Sequence, residues 1–512
     1  MTEPTTRAQT GTWGISQPVR RALAKTVLDL RAALEDDFGK QLRALGIREA
    51  GVQPVPAGRT LIPAEQRVRE MASAVVRREI EGGATREQAF QAYVRDSAFT
   101  FLNRMVGLRC LEERGLLLVD GQPETAVKVD PARNASSLYW RVRNELGSAT
   151  PPREVWRETL RRAGAAISER IHVLFDPESE YAALLPMQPT LQRVVDALNA
   201  PEIPSETYAQ DELLGWIYQY YNAREKDAAY ARLARGKKLE RSEELVAATC
   251  LYTERYMVDF LLQNTLGTLW LEMHPESRLP ERWPYFVGTL TPDPSPAVRQ
   301  RGNILTPSPS PTCGESSLTP GPSPTSWERG AEGGVRCSVS LPLAVDGPGV
   351  KALREITLLD PACGSGHFLV RAFDLLVEMY REEGREPERE IPHLIIERNL
   401  HGIDIDLRAV QIAALALYLK GCALAGPGFR PRRLNLVAAD ALLPGDEPPA
   451  EYLASLRGDR EAIAVVKGLW QGLKHVREFG SLLHPERAVD EVVRRQREED
   501  RRRYPMLQRD DV

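Results

Sequence analysis

The sequence contains few of the residues that build disulfide frameworks and metal sites. Only six of its 512 residues are cysteine and seven are histidine. The cysteines are scattered, without a Cys-x-x-Cys pair, which argues against a disulfide framework and a structural zinc site. Cys363 and His367 lie four residues apart, but such a pair without two further ligands is usually structural. The sequence therefore predicts no metal site.

The sequence also lacks long apolar runs and an excess of charge of one sign. The formal net charge is -4, so any contact with nucleic acid must come from a local patch or from another chain. No apolar run reaches the roughly 18 residues of a membrane span. Residues 1–14 are polar and do not resemble a signal peptide. These absences predict a cytoplasmic protein that does not contact a membrane.

Helical periodicity dominates the first 240 residues. Apolar side chains recur every three or four residues after a start signal at Ser16 and Pro18, and again before Gly115, a predicted helix end. A third apolar helix is predicted around residues 213–221. Arginines occupy many of the opposite faces; we favour a solvated surface for them over a stripe that contacts DNA, although the sequence leaves both open. The expected result is a mostly α-helical N-terminal domain.

Residues 290–345 differ in composition from the rest of the chain. They contain three imperfect copies of one proline-rich phrase, at residues 290–296, 305–311 and 318–324. Proline at every second position removes backbone donors and excludes helices and central strands. We interpret the segment as a low-complexity insertion that arose from repetitive DNA. The alternative is a proline-rich ligand for a partner domain.

Strands and helices alternate after residue 350. Short apolar strands are predicted at residues 356–359, 400–405 and 434–438, and helices between them at residues 368–380 and 409–419. This alternation is typical of a parallel sheet. The predicted fold class is α/β, a Rossmann-like doubly wound domain that follows the helical N-terminal domain.

The most specific motif is a glycine turn between the first strand and its helix. Its residues are Asp360, Pro361, Ala362, Cys363, Gly364, Ser365 and Gly366. The glycines allow a tight turn and the close approach of a ligand, and the helix start offers amide donors. Asp360 would bind a ligand's ammonium group. The register of the glycines differs from the G-x-G-x-x-G of dinucleotide sites.

Two further acidic residues follow predicted strands. Asp404, with Ile405 beside it, ends the second strand, where a carboxylate is placed to accept both ribose hydroxyls of an adenosine. Asp406 lies just outside that strand, and capping of the next helix is its alternative role. After the third strand come Asp440, Ala441 and Leu442, of which Asp440 would bind the adenine amine and Leu442 would pack on the ring.

These elements resemble the adenine-specific DNA methyltransferases that carry the Asp-Pro-Ala-Cys-Gly-Ser-Gly motif, including large single-chain enzymes of BREX phage-defence and restriction–modification systems. The phrases at residues 98–104 and 214–220 resemble the helical leader of those enzymes. The resemblance implies S-adenosyl-L-methionine as the cofactor. It also implies that Thr253, in the segment before the first strand, binds the cofactor carboxylate. The implied cofactor-binding residues are Thr253, Asp360, Pro361, Ala362, Gly364, Gly366, Asp404, Ile405, Asp440, Ala441 and Leu442.

The family's catalytic motif is missing from the 512 residues. That motif reads Asp or Asn, Pro, Pro and an aromatic residue, and it holds a flipped adenine. Residues 447–450 read Glu-Pro-Pro-Ala and lack both the first residue and the aromatic. We therefore assign no catalytic residue. Residues 451–487 resemble the helical insertion that precedes the motif in large members, so the motif is expected beyond Val512 and the chain is interpreted as C-terminally truncated.

The expected function is S-adenosylmethionine-dependent methylation of adenine in DNA, with only the cofactor-binding part on this chain. The expected partners are double-stranded DNA, bound through a missing or separate recognition domain, and a second polypeptide with the catalytic half. The chain alone should show little methylation. The alternatives are a non-catalytic remnant or assembly subunit of a defence system, and a protein or RNA methyltransferase. The expected organisation comprises residues 1–240, a helical domain; 245–289, a lead-in segment; 290–345, the insertion; 350–450, the cofactor-binding domain; and 451–512, a helical insertion with a truncated tail.

Overall fold

The computed structural model describes residues 14–56, 58–81, 83–168, 170–236, 247–250, 253–287, 352–439, 448, 450–456, 460–473 and 494. Its contacts divide the chain into two compact units. One unit combines Met1–Leu262 with Leu353–Val512, and the other is Gln263–Ala352. The predicted proline-rich insertion lies outside the described residues, as do Asp440, Ala441 and Leu442.

The N-terminal part of the first unit consists mainly of helices, with two short antiparallel hairpins between them. Its helices are α1 (Gln17–Ala44), α2 (Pro63–Glu81), α3 (Arg86–Glu113), α4 (Ser137–Leu146), α5 (Pro152–Ser168), α6 (His172–Phe175), α7 (Gln188–Leu198), α8 (Leu213–Tyr221) and α9 (Ala223–Ala234). The hairpin strands are β1 (Ile47–Arg48), β2 (Gly51–Val52), β3 (Leu118–Val119) and β4 (Gln122–Pro123). Helix α10 (Arg255–Met273) follows.

The helix boundaries have local causes in the sequence. Helix α1 begins after Ser16 with a proline in its first turn, as predicted. Thr85 and Gln88 form a reciprocal capping box at the start of α3. Gly115 follows the end of α3 with φ +65°, and its N–H donates to the carbonyl of Glu112. A left-handed residue at this position terminates a helix, which confirms the predicted end at Gly115.

Several arginines of the helical part donate hydrogen bonds to backbone carbonyls at the ends of other segments. Carbonyls at such ends have no partner within their own helix. Arg104 donates to Leu174 O (2.8 Å) and Asp176 O (2.6 Å), and Arg114 donates to Tyr208 O (2.6 Å). Burial lowers the pKa of Arg104 to about 10. The guanidinium groups are directed at these carbonyls rather than into solvent. Their fork of donors satisfies carbonyls at the ends of neighbouring segments.

The second part of the same unit contains a three-stranded parallel sheet. Its strands are β5 (Leu358–Asp360), β6 (Leu400–Asp404) and β7 (Leu436–Ala438), in the order β5-β6-β7. The connections are α11 (His367–Glu383), α12 (Ile391–Leu394) and α13 (Leu407–Ala425). Each predicted strand and helix is present, but β5 begins two residues later than predicted and extends through Asp360. The register aligns Asp360 with Gly402 and Asp404 with Ala438.

Helix α13 packs against both the sheet and the N-terminal helices. It contacts β6, β7 and α11 on one side and α3, α6 and α8 on the other. By length and mean hydropathy (1.4) it passes as a membrane span, yet 72% of it is buried within the protein. A helix that is apolar on all sides is typical of a buried core position. Small residues permit the contact, since a Cβ on Gly107 of α3 would lie 3.1 Å from Leu415.

The two faces of the sheet differ in exposure. Leu400 and Gly402 face α11 and α13 and are buried, and a Cβ on Gly402 would lie 2.9 Å from Leu369 of α11. Leu359 and Val437 alternate to the opposite face and are 56% and 53% exposed. Within the described residues, helices therefore cover one face. The doubly wound arrangement, which needs helices on both faces, stays a prediction.

Besides Ala352, the described residues of the second unit are 263–287. They comprise the C-terminal part of α10 and a 3₁₀ turn at Leu279–Arg282. Trp283 packs so closely on Gly267 that a Cβ there would lie 2.7 Å from the indole ring. Beyond the sheet, α14 (Ala450–Ser455) and α15 (Arg460–Leu473) are the described helices of the C-terminal part.

Candidate functional site

The site is built around the turn that joins β5 to α11. Gly364 and Gly366 have φ of +52° and +79°, in the left-handed region that residues with a Cβ rarely occupy. Cys363 N–H donates to Ile403 O of β6 (2.9 Å), and Gly366 N–H donates to Cys363 O (2.8 Å). These bonds fold the turn back against the adjacent strand. The glycines are therefore required by the backbone path itself.

Asp404, the last residue of β6, contacts the same turn. Its Oδ2 accepts a hydrogen bond from Gly364 N–H (2.7 Å), and its Oδ1 accepts one from Asp406 N–H (2.8 Å). The parallel register explains the contact, because the carboxyl ends of β5 and β6 meet at one edge of the sheet. Burial raises the pKa of Asp404, and the charge of Asp406 adds to the rise. Two predicted elements, the glycine turn and the acidic strand end, are thus brought together.

Asp360 begins the turn and stays half-buried. One carboxylate oxygen accepts a hydrogen bond from Ala362 N–H (3.1 Å). Burial raises the pKa of Asp360, and the negative charge of Asp404 raises it further. Two carboxylates therefore lie at one edge of the sheet, where burial and their neighbours' negative charge destabilise the ionised forms. A positively charged ligand would offset this destabilisation.

The segment before the sheet reaches the start of α11. Burial lowers the pKa of His367, the first residue of α11, to about 4, opposed by a hydrogen bond to the backbone of Thr253. Asp259 of α10 accepts a hydrogen bond from Arg371 of α11 (2.7 Å). These contacts place Thr253 beside the helix that follows the glycine turn, so this third predicted residue lies at the same helix start.

Asp406 caps α13, as the sequence indicated for its alternative role. Its Oδ1 accepts a hydrogen bond from Arg408 N–H (2.9 Å), while its Oδ2 accepts one from the hydroxyl of Tyr218 on α8 (2.7 Å). Asp404 is thus left as the carboxylate that faces the turn. The bond from Tyr218 was missed by sequence reasoning, because residues 188 positions apart leave no local pattern.

The remaining predicted residues lie on the turn, at the end of β6, or outside the described residues. Pro361, Ala362 and Ile405 are exposed along the turn and the end of β6. Asp440, Ala441 and Leu442 lie outside the described residues, so their predicted contacts with an adenine ring stay predictions. The register of β7 nevertheless places the chain before Asp440 beside β6, since Ala439 N–H donates to Asp404 O (2.9 Å).

Cys363 and His367, the pair considered above, occur at this turn. Burial raises the pKa of the Cys363 thiol to about 12, and the charges of Asp404 and Asp360 contribute. A thiol with a raised pKa is a poor metal ligand and nucleophile. Among the residues that the structure describes, no group of three His, Cys, Asp or Glu side chains is arranged to hold a metal ion.

The first strand, the glycine turn, its helix and the acidic strand end lie in one continuous segment of the chain. Residues 350–425, which contain all four, match the family model of the DNA-methyltransferase domain of MmeI. The match covers the glycine turn and Asp404.

Longer similarities extend into the helical part. The chain is 29% identical over 366 residues to the adenine-specific methyltransferase BrxX of Escherichia coli, covering 68% of this chain and 26% of that protein. It is 26% identical over 438 residues to the adenine-specific methyltransferase PglX of Lacticaseibacillus casei, covering 78% of this chain and 32% of the relative. PglX of Streptomyces coelicolor is 35% identical over 74 residues, 14% of this chain and 6% of its own length.

These similarities confirm the predicted kinship with adenine-specific DNA methyltransferases of the BrxX and PglX type. The chain spans about a quarter to a third of the two relatives that it matches over most of its own length. Since the 366 residues matched to BrxX are more than twice the length of residues 350–512, the similarity extends into the chain before residue 350.

Proposed function

We propose that this chain binds S-adenosyl-L-methionine at the carboxyl edge of β5 and β6. The bound cofactor is the methyl donor for methylation of adenine in DNA. The proposal includes a Rossmann-like, doubly wound methyltransferase fold. The observation that carries it is the hydrogen bond from Gly364 N–H to Asp404 Oδ2 (2.7 Å). That bond joins the glycine turn to the acidic strand end, the two parts of the chain that an adenosyl amino acid must contact together.

The charges of the site favour this ligand over nucleotides. Asp360 and Asp404 place two carboxylates at one sheet edge, and the pKa of each is raised by burial and by a neighbouring carboxylate. A ligand with phosphate groups would add negative charge there. S-adenosylmethionine instead brings an ammonium and a sulfonium group, together with two ribose hydroxyls that donate to a carboxylate. Opposite charge and matching donors both favour it.

Each residue of the site has a proposed task. Asp360 binds the ammonium group, Asp404 accepts from the ribose hydroxyls, and Thr253 binds the cofactor carboxylate near the start of α11. Gly364 lies where a Cβ would have no atom within 4 Å among the described residues, so its backbone is accessible to a ligand. The bound cofactor supplies the methyl group; the residues named here bind and orient it.

The substrate and partners are proposed by kinship. Double-stranded DNA and a polypeptide that carries the catalytic Asp/Asn-Pro-Pro-aromatic motif are the proposed partners, in a phage-defence or restriction–modification system. The 512 residues contain no such motif. The proposed contribution of this chain is cofactor binding, and the alternative role is assembly without catalysis.

Isothermal titration calorimetry of the 512-residue chain tests the proposal. We expect binding of S-adenosylmethionine and S-adenosylhomocysteine, and none of ATP or NAD⁺. Asp360→Asn should reduce the affinity for both adenosyl ligands. Binding of ATP or NAD⁺ in preference to the adenosyl ligands would contradict the proposal.

A methyl-transfer assay with labelled cofactor and DNA, with and without the catalytic polypeptide, distinguishes cofactor binding for catalysis from assembly without catalysis.

The raised pKa values of Asp360 and Asp404 predict a pH dependence of binding. The ionised carboxylates bind the ligand, so affinity should fall with falling pH, starting above the ordinary aspartate pKa of about 4. Stability should respond in the opposite direction, because a carboxylate whose pKa is raised by folding stabilises the native state below its unfolded pKa and loses that contribution as pH rises. Calorimetry and thermal unfolding as functions of pH measure both. In Asp360→Asn the decline in affinity should shift to lower pH; an unchanged pH profile would contradict the assignment.

A further inference from the structure

The carboxylate of Asp406 connects the cofactor site to the helical part of the unit. The residue is 8% exposed, and its carboxylate accepts hydrogen bonds from Tyr218 on α8 (2.7 Å) and from the Arg408 side chain (2.8 Å to Oδ2). Burial raises the pKa of Asp406, but the charge and hydrogen bonds of Arg408 and the bond from Tyr218 outweigh it, so that the pKa is lowered overall. Asp406 therefore stays ionised and fixed in position.

Arg408 extends the connection to α3. Its guanidinium lies 3.3 Å from Asp96 Oδ1 and stacks over the ring of Phe99 at 5.3 Å. An arginine fork with a stacked face and two carboxylate partners has little freedom to rotate. Two helices of the N-terminal part, α3 and α8, thus hold the segment between β6 and α13.

The segment between β6 and α13 in turn fixes the carboxylate of Asp404 through hydrogen bonds. The N–H of Asp406 donates to Asp404 Oδ1 (2.8 Å), opposite the bond from Gly364 to Oδ2 (2.7 Å). A carboxylate without such bonds would sample several rotamers, and a ligand would have to fix one of them on binding. Bonds to both oxygens fix a single rotamer before the ligand arrives.

We propose that Tyr218 is a positioning residue of the cofactor site: through Asp406, and with Arg408 as the second support, it fixes the ribose-binding carboxylate of Asp404. This inference rests on the proposed function, because it assumes that Asp404 contacts the ribose. It gives α8 a role in cofactor binding that is exerted through Asp406 and Asp404.

The decisive variant is Tyr218→Phe, which removes one hydroxyl and keeps the ring. We expect the affinity of the full chain for S-adenosylhomocysteine to fall about fivefold, the equivalent of one ordinary hydrogen bond. The matched control is Tyr221→Phe on the same helix. The hydroxyl of Tyr221 donates to Arg95 O (2.8 Å), away from Asp406. Its loss should change thermal stability to a similar extent and leave the affinity unchanged.

A double-mutant cycle with Asp404→Ala separates the two proposals. In the Asp404→Ala background, Tyr218→Phe should have no further effect on affinity. If Asp404→Ala leaves the affinity unchanged, the proposed ribose contact is wrong. The positioning role alone is overturned in two cases, both with weaker binding in Asp404→Ala: Tyr218→Phe has no effect on affinity, or Tyr218→Phe lowers the affinity equally in both backgrounds.

Hydrogen exchange in the ligand-free chain gives a second measurement: Tyr218→Phe should accelerate exchange at Gly364 and Asp406, and Tyr221→Phe should not. Unchanged exchange at both amides would also overturn the positioning role.

Discussion

Replacing Gly366 with alanine is expected to lower the free energy of unfolding by about 2–5 kcal/mol and to abolish measurable cofactor binding. The left-handed backbone at φ +79° costs about 1–2 kcal/mol for a residue with a Cβ. The added Cβ would also lie 2.7 Å from the Cβ and 2.9 Å from the Cα of Ala413 on α13, and such overpacking costs about 1–3 kcal/mol. Because Ala413 contributes backbone atoms, relief requires movement of the turn away from α13. Urea denaturation and calorimetry measure the two effects.

Gly384 offers a matched control at the other end of the same helix. It also has a left-handed conformation (φ +66°), but the nearest atom to an added Cβ is a carbonyl oxygen at 3.9 Å. Gly384→Ala should therefore cost only the conformational strain, about 1–2 kcal/mol, and leave cofactor affinity unchanged. Equal stability losses for the two variants would show that the contact with Ala413 has no energetic weight.

Asp404→Ala is expected to weaken S-adenosylmethionine binding by about 1–3 kcal/mol, the cost of leaving buried polar groups without partners. This corresponds to roughly 5- to 150-fold in the dissociation constant. Two contributions add: the ribose hydroxyls lose their acceptor, and the turn, no longer held through the N–H groups of Gly364 and Asp406, must be ordered when the ligand binds. The variant should nonetheless stay folded, because the pKa of Asp404 is raised by burial, so the ionised side chain is itself a cost to the native state.

The comparison variant is Asp374→Ala near the middle of α11. Asp374 pairs with Arg371 (2.7 Å) and also with Lys420, and it lies on the helix that carries the turn without contacting the turn itself. A loss confined to stability is expected there. If Asp404→Ala leaves the affinity for S-adenosylmethionine unchanged in calorimetry while the chain stays folded, the ribose site is misplaced.

The local elements of the fold were predictable because their causes are local. Gly115 ends α3, and Ser16 and Pro18 start α1. The alternation of apolar runs after residue 350 predicted all three strands and the helices α11 and α13, but not the short α12. The boundaries of β5 were less accurate. The bounds Leu358–Asp360 are set by pairing with β6. The register of that pairing cannot be predicted from residues 356–360 alone.

The candidate site was partly predictable for a related reason. In a parallel sheet, successive strand ends share one edge, so Asp360 and Asp404 were expected to be close, and Asp404 does contact the glycine turn. The different roles of Asp404 and Asp406 were also predictable. Asp406 lies one residue before a helix and caps it, whereas Asp404 ends the strand. The arginines were harder to interpret: side chains placed on the polar face of a helix bind carbonyls of segments far away in the sequence.

The sequence by itself determined the order of strands and helices, the glycine turn and the acidic strand ends, since each follows from residues close together in the chain. Only the tertiary structure decided that α3 and α8 contact the segment between β6 and α13, next to the candidate site. Tyr218 and Asp406 meet because α13, apolar on all sides, is buried between the sheet and the N-terminal helices. Burial of that helix brings a distant hydroxyl to a carboxylate that must be neutralised or hydrogen-bonded where water is excluded.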